Sequence, residues 1–164
     1  MLYPLSSQFL DLKIKEKNMA VLNAADRKSN NILYMAMCFG LLSITAVMYY
    51  LVSSGGEINY IYKSLFFSIS AVFLLISILL SSKVYSTNIN KARERTFDSY
   101  EDASANFRAV NVVRWAMVYG ASIIALVLAF LESNLLGFVL PVIGLLFLYV
   151  SKINEEHFKN YKIK

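Results

Sequence analysis

The sequence contains one cysteine, one histidine and two prolines among 164 residues. Cys38 lies inside an apolar stretch, and a single cysteine cannot form an intrachain disulfide or a cysteine metal cluster. His157 lies near the C-terminus, and a single histidine excludes bis-histidine haem and makes a histidine metal site a poor interpretation. We therefore expect neither a metal nor a cofactor.

Charged residues are also scarce: they make up 16% of the chain, whereas 57% is hydrophobic. Soluble domains are nearer a quarter charged. No Asp, Glu, Lys, Arg or His lies in the middle of an apolar run, although proton relays, voltage sensors and coupled transporters depend on such groups. The sequence also has no Gly-rich phosphate loop and no nucleophile elbow. It predicts no catalytic residue and a protein that is not an enzyme.

What the chain does have is four long apolar runs, at 32–53, 64–81, 112–131 and 135–151. A bilayer core about 30 Å thick needs roughly 20 apolar helical residues to span it. The runs therefore predict an all-α polytopic membrane protein with four transmembrane helices in two hairpins and a cytoplasmic helical extension.

The basic residues predict the orientation of these helices. Fifteen of the sixteen Lys and Arg residues lie in 1–31, 83–114 and 152–164, and short loops rich in Lys and Arg stay in the cytoplasm. Both termini are therefore expected on the cytoplasmic side of the membrane. The net charge of +5 is explained by orientation and by contact with membrane lipids, so we do not favour nucleic acid as a partner.

The predicted organisation alternates membrane and cytoplasmic parts. A helix is expected to begin after Asn23 or Asp26, and the pair Asp98 and Glu101 resembles a capping box that ends one helix near Arg95 and starts another near Ser99. The five predicted parts are a cytoplasmic amphipathic helix at 1–31, a first transmembrane hairpin at 32–82, a cytoplasmic helical hairpin at 83–111, a second transmembrane hairpin at 112–151 and a cytoplasmic tail at 152–164.

Small residues four positions apart predict close helix packing in the first and third spans. The two pairs are Ala36 with Gly40 and Ala116 with Gly120. This spacing lets helix backbones approach closely, and we expect it to support a homo-oligomer. Three helix-weakening residues interrupt the fourth run and predict a kinked or loosely packed helix; they are Gly137, Pro141 and Gly144.

An apolar stripe in the cytoplasmic hairpin predicts a contact surface. It comprises Ile89, Ala92, Tyr100, Ala103 and Phe107, and no other segment looks large enough to cover it. Exposed apolar stripes usually mark contact sites. We expect the stripe to bind neighbouring copies or a cytoplasmic protein partner, with basic side chains attracting an acidic surface or a phosphate-bearing ligand. The predicted contact residues are Arg93, Arg95, Phe107 and Arg108.

One short segment resembles a known family. Ala25-Asp26-Arg27-Lys28-Ser29 leads directly into the first span and is similar to the Ala-Asp-x-Lys-Ala stretch that opens the membrane region of Pycsar-type bacterial effectors. The hairpin 31–82 also looks like the two-span effectors of related nucleotide-signalling defence systems. The resemblance implies an antiphage protein that compromises the inner membrane. It departs at Ser29, and no cyclic-nucleotide domain fits in the chain.

Three classes of function remain open from the sequence. The first is an oligomeric membrane effector or channel-like protein that is gated or recruited through its cytoplasmic helices. The second is a structural or scaffold subunit of a larger membrane complex. The third, a membrane-embedded enzyme or small transporter, is the least favoured because the spans lack ionisable groups.

Overall fold

A computed structural model describes residues 21–55 and 65–164. Most of these residues are helical, which confirms the all-α class. The helices are Ala24–Ser54 (α1), Leu65–Glu94 (α2), Tyr100–Leu131 (α3), Val139–Val150 (α4, which follows a 3-10 helix at Leu135–Phe138) and Glu156–Lys159 (α5). Residues 1–20 of the predicted amphipathic helix, and most of the predicted loop between the first two spans, lie outside the described residues.

Helices α1, α2 and α3 are long and apolar enough to cross a membrane. They contain 31, 30 and 32 residues, and at 1.5 Å per residue each is about 45 Å long or more. A bilayer core occupies only about 30 Å of that length. The remaining turns of α2 and α3 supply the helical extension that the polar segment 83–111 predicts.

The helix ends follow local capping chemistry. Asn23 caps α1 through its side-chain oxygen, which accepts a hydrogen bond of 2.7 Å from the Asp26 backbone N–H. The break between α2 and α3 falls where the sequence predicts, but the cap is different. Ser99 accepts from the Asp102 N–H at 3.1 Å, so Ser99 and Asp102, and not Asp98 and Glu101, start α3.

Helix α3 is the centre of the bundle, because α1, α2 and α4 all pack against it. The buried face of α3 along the apolar bundle contains Trp115, Val118, Ala121 and Ala125. The Trp115 indole N–H donates to the Ser151 carbonyl at 3.1 Å. These contacts form an apolar core on which α1 and α4 pack.

The fourth apolar segment packs tightly, which corrects the expectation of a loosely packed helix. A Cβ atom added to Gly137 would lie 2.5 Å from the Ala129 Cβ, and one added to Gly144 would overlap the Ser122 side chain. Pro141 is also buried. The small residues therefore permit close contact with α3, and the helix-weakening tendency of glycine does not decide the packing.

Candidate functional site

The ends of α2 and α3 enclose an aromatic core that lies beyond the apolar runs. We call this cluster the basal core. Its three closest ring pairs all have centroids 5.3 Å apart. They are Phe97 with Tyr161, which are stacked, Phe107 with Phe158, and Phe158 with Tyr161. Its buried members are Leu22, Tyr85, Ile89, Ala92, Phe97, Ala103, Phe107, Val110, Phe158 and Tyr161.

The C-terminal segment closes the basal core, so the expectation that the apolar stripe is uncovered is wrong. Strand β2 (Lys162–Ile163) pairs in parallel with β1 (Thr96–Phe97). The Lys164 backbone N–H donates to the Phe97 carbonyl at 3.1 Å. This pairing returns the tail to the tip of the hairpin, where Phe158 and Tyr161 fill the space above the stripe.

A polar cluster around Asp26 joins the start of α1 to α3. The Arg108 guanidinium donates to the Asp26 carboxylate at 2.7 Å, and the Tyr100 hydroxyl donates to the same carboxylate at 2.9 Å. The Asn23 backbone N–H donates in turn to the Tyr100 hydroxyl at 2.8 Å. One carboxylate therefore holds the N-terminal end of α1 against the first turns of α3.

A second polar cluster contains three basic side chains, and no carboxylate among residues 21–55 and 65–164 forms a salt bridge with any of them. Nη2 of Arg93 lies 2.7 Å from Nδ1 of His157. The Arg114 guanidinium lies over the Tyr85 ring at 4.4 Å and within 5.7 Å of the Phe147 ring. The Tyr85 and His157 rings meet edge to face at 5.9 Å. We call Arg93, Arg114 and His157, with Tyr85, the basic cluster.

Several donors of the basic cluster are unused. The Nε atoms of Arg93 and Arg114 and the Tyr85 hydroxyl are buried without a hydrogen-bond partner in the described part of the chain. Burial lowers the pKa of His157, the guanidiniums of Arg93 and Arg114 lower it further, and Glu156 opposes them. The cluster therefore concentrates positive charge and buried hydrogen-bond donors at one position.

The pKa of His157 predicts a pH-dependent stability. Because this pKa lies below its ordinary value of 6.5, the unfolded chain takes up a proton that the folded chain resists. The stabilisation from neutral His157 is fully present above about pH 6.5 and is lost as the pH falls through the lowered pKa. We expect a lower melting temperature in detergent at pH 5.5 than at pH 7.5.

His157→Gln is the matched test, because the chain has no other histidine. Glutamine keeps a hydrogen-bonding group beside Arg93 and does not titrate. The difference in melting temperature between pH 5.5 and 7.5 should shrink in this variant. An unchanged difference would assign the pH dependence to carboxylates instead.

The structure gives the predicted contact residues different environments. Arg93 belongs to the basic cluster, and Arg108 is paired with Asp26. Phe107 is fully buried in the basal core, which removes the premise on which its contact with a partner was predicted. Arg95 is exposed and lies 5.2 Å from the Phe97 ring centroid.

The four predicted packing residues have different environments within the chain. Ala36 and Ala116 are exposed. A Cβ atom on Gly40 would lie 3.3 Å from the Tyr119 hydroxyl, whereas one on Gly120 would meet nothing within 4 Å. Three of the four positions are therefore open to lipid or to another helix.

Sequence reasoning missed Tyr85, Arg114 and His157 as members of one site. From the sequence, Arg114 is only one basic residue of the range 83–114, and His157 is only a lone histidine in the tail 152–164. One signal was present: Arg114 lies seven residues after Phe107, two helical turns along, so both side chains share a face of α3. Nothing local links His157 to that face, because tertiary folding of the tail brings it there.

Within residues 21–55 and 65–164, no group of three His, Cys, Asp or Glu side chains is placed to hold a metal ion. No protein-family model, curated protein or solved structure matches this chain.

Proposed function

We propose that the chain is a four-span protein of the bacterial inner membrane with both termini in the cytoplasm. In this proposal it is a non-enzymatic oligomeric effector or channel-like component, gated or recruited through its cytoplasmic end. The clustering of Lys and Arg in 1–31, 83–114 and 152–164 supports the orientation. The three long apolar helices support a multi-pass arrangement.

One observation carries the functional part of the proposal. Helices α2 and α3 run without interruption from the apolar bundle into the basal core. The tail and Leu22, which lies just before α1, pack on that same core. A ligand or partner that displaces the tail would therefore act directly on the ends of three membrane-length helices, which is the kind of bistable element that gating requires.

The fourth span is proposed from Leu135–Val150. Four residues of 3-10 helix and twelve of α-helix extend about 26 Å in total. This is slightly less than a typical bilayer core, and a short span is accommodated by local thinning or by association with other helices. It also returns the chain to the side that holds the basal core, where the tail docks.

The exposed apolar faces support an oligomer. In α1 and α2, few residues of the most apolar stretch are buried within the chain. On α3, Ala116 is exposed and Gly120 has open space above it, so the helix of another copy has room to approach. The same surface would also serve a scaffold subunit that docks spans of a different protein, and this is the second candidate function.

A role in antiphage defence is part of the proposal. It is supported by the resemblance of 25–29 to the entry of the membrane region in Pycsar-type effectors. In this chain Asp26 binds Arg108 and Tyr100, so the segment is joined to the cytoplasmic extension. A signal received there would reach α1 through Asp26.

The proposal predicts topology and assembly together. In a Cys38→Ser background, a membrane-impermeant thiol reagent should label Ser54→Cys from outside intact cells and should not label Glu101→Cys. The purified chain should form a closed homo-oligomer in detergent and make liposomes permeable to ions. Labelling of Glu101→Cys from outside would refute the orientation.

Gly120→Leu separates the two candidate functions. Because none of the described residues lies within 4 Å of a Cβ at Gly120, this substitution should lower the melting temperature of the monomer less than Gly40→Leu does. Under the effector proposal it should weaken the homo-oligomer and reduce ion permeability. A wild-type monomer that leaves liposomes sealed would favour the scaffold.

A further inference from the structure

The ion pairs of the cytoplasmic end divide the arginines into two groups. Arg27 binds Glu155 at 2.9 Å, and Arg108 binds Asp26 at 2.7 Å. Neither Arg93 nor Arg114 makes a salt bridge with any carboxylate in the described parts of the chain. Both side chains are half-buried, and their Nε atoms are buried. A guanidinium withdrawn from water normally requires an anionic partner or several acceptors. The basic cluster therefore has the charge of an anion site without an anion supplied by the protein.

We propose that the basic cluster binds a phosphate group, held between the guanidiniums of Arg93 and Arg114 beside His157. Arginine suits this role because its planar donors match phosphate oxygens. Tyr85 covers one face of the Arg114 guanidinium at 4.4 Å, and a cation–π contact of this kind leaves the N–H groups at the edge of the plane available. The unused Nε donors and the Tyr85 hydroxyl add hydrogen-bonding capacity.

The position of the cluster favours a lipid headgroup as the source of the phosphate. Arg114 precedes Trp115, which contacts the Tyr34 ring at 5.4 Å and the Ser151 carbonyl. Aromatic rings of this kind concentrate at the membrane–water interface, and basic pockets at the cytoplasmic ends of helices bind anionic headgroups. The inference rests on the proposed function only in placing this end at the cytoplasmic leaflet.

Protonation of His157 couples this site to pH. The groups that face the imidazole are Arg93 and Tyr85 from α2, Arg114 from α3 and Glu156 from α5. Two of these are cations, so a proton on His157 is disfavoured until an anion neutralises them. Phosphate binding and His157 protonation should therefore strengthen each other, and binding should be tighter at pH 6 than at pH 8.

The test uses the full chain in neutral detergent. Short-chain phosphatidylglycerol, short-chain phosphatidylcholine and inorganic phosphate are titrated separately at pH 6 and pH 8, and the melting temperature reports binding. Phosphatidylglycerol should raise the melting temperature more than phosphatidylcholine, and more at pH 6. Arg93→Gln/Arg114→Gln should weaken its apparent affinity about thirtyfold, since each basic residue contributes about fivefold.

The matched control is Lys91→Gln/Arg95→Gln, which removes the same charge from a groove between the C-terminal end of α2 and α3. Both side chains are exposed. This variant should keep most of the affinity. Equal losses in the two double variants would overturn the site, because diffuse charge would then explain binding. No stabilisation of the wild type by any of the three probes would also overturn it.

Two further measurements identify the ligand and provide a test if the double arginine variant does not fold. Stabilisation by inorganic phosphate equal to that by phosphatidylglycerol would retain the site and identify a soluble phosphate as its ligand. If Arg93→Gln/Arg114→Gln does not fold, His157→Gln decides, because it should abolish the difference in affinity between pH 6 and pH 8. Persistence of that difference would overturn the proposal. These measurements follow binding alone, so they stand whether or not the chain permeabilises liposomes.

Discussion

Phe158→Ala is expected to open the basal core and release the C-terminal tail. The side chain is fully buried and contacts the rings of Tyr100, Phe107 and Tyr161 at 5.3–6.0 Å. Truncation of a buried phenylalanine to alanine costs about 3–5 kcal/mol. The short strand pair of β1 and β2 cannot compensate for this loss. The tail should therefore detach from α2 and α3 while the apolar bundle remains folded.

Limited proteolysis in detergent measures this release. In the wild type, trypsin should cleave slowly at Lys159, because the flanking Phe158 and Tyr161 are buried. In Phe158→Ala, cleavage there should become at least about tenfold faster, as expected when opening is favoured by more than 1.4 kcal/mol. Phe39→Ala is the control of the same type, because Phe39 is 58% exposed. Equal cleavage rates in the two variants would show that Phe158 does not hold the tail.

Helix positions, and the inward face of the hairpin formed by the ends of α2 and α3, were predictable from the sequence. Periodic apolar residues give helices, and the three-or-four spacing of Ile89, Ala92, Ala103 and Phe107 selects the face that is buried. The break near Arg95 was also correctly located, since a run of polar residues competent for capping interrupts the pattern. These features depend on local sequence alone.

The packing of the C-terminal tail on that buried face was not predictable from the sequence. The tail contributes only Ile153, Phe158, Tyr161 and Ile163 to the basal core, and these few apolar residues are separated by charges. Strand β2 contains two residues, too few to show an alternating pattern. Its partner β1 lies more than sixty positions away, so the pairing depends on tertiary contacts that periodicity does not report.

In the two polar clusters, too, the residue types were predictable from the sequence, but their partners were not. The basic character of Arg93, Arg108 and Arg114 is evident from the sequence, but their environments are not. Arg108 is neutralised because the start of α1 brings Asp26 to it. Arg93 and Arg114 have no carboxylate partner among the described residues, because the segment that reaches them brings His157 instead. The identity of an ion site therefore depends on which distant segment docks there.

Gly144→Ala is expected to weaken the contact between α4 and α3. The added Cβ would overlap Ser122 Oγ and lie 3.0 Å from Ser122 Cβ. The hydroxyl cannot rotate away without losing its 2.8 Å hydrogen bond to the Val118 carbonyl. Overpacking of this kind typically costs 1–3 kcal/mol. The melting temperature of the purified chain in detergent should fall by several degrees.

Two further variants test whether the lower melting temperature of Gly144→Ala comes from the contact between residue 144 and Ser122. Gly120→Ala makes the same change in α3 but places its Cβ in open space, so its melting temperature should remain close to that of the wild type. Ser122→Ala removes the overlapping oxygen, and Gly144→Ala/Ser122→Ala should therefore recover a large part of the loss. A double variant no more stable than Gly144→Ala would mean that the Ser122 hydroxyl does not set the spacing of α3 and α4. Recovery would instead show that the Ser122 hydroxyl limits how closely α4 approaches α3 at Gly144.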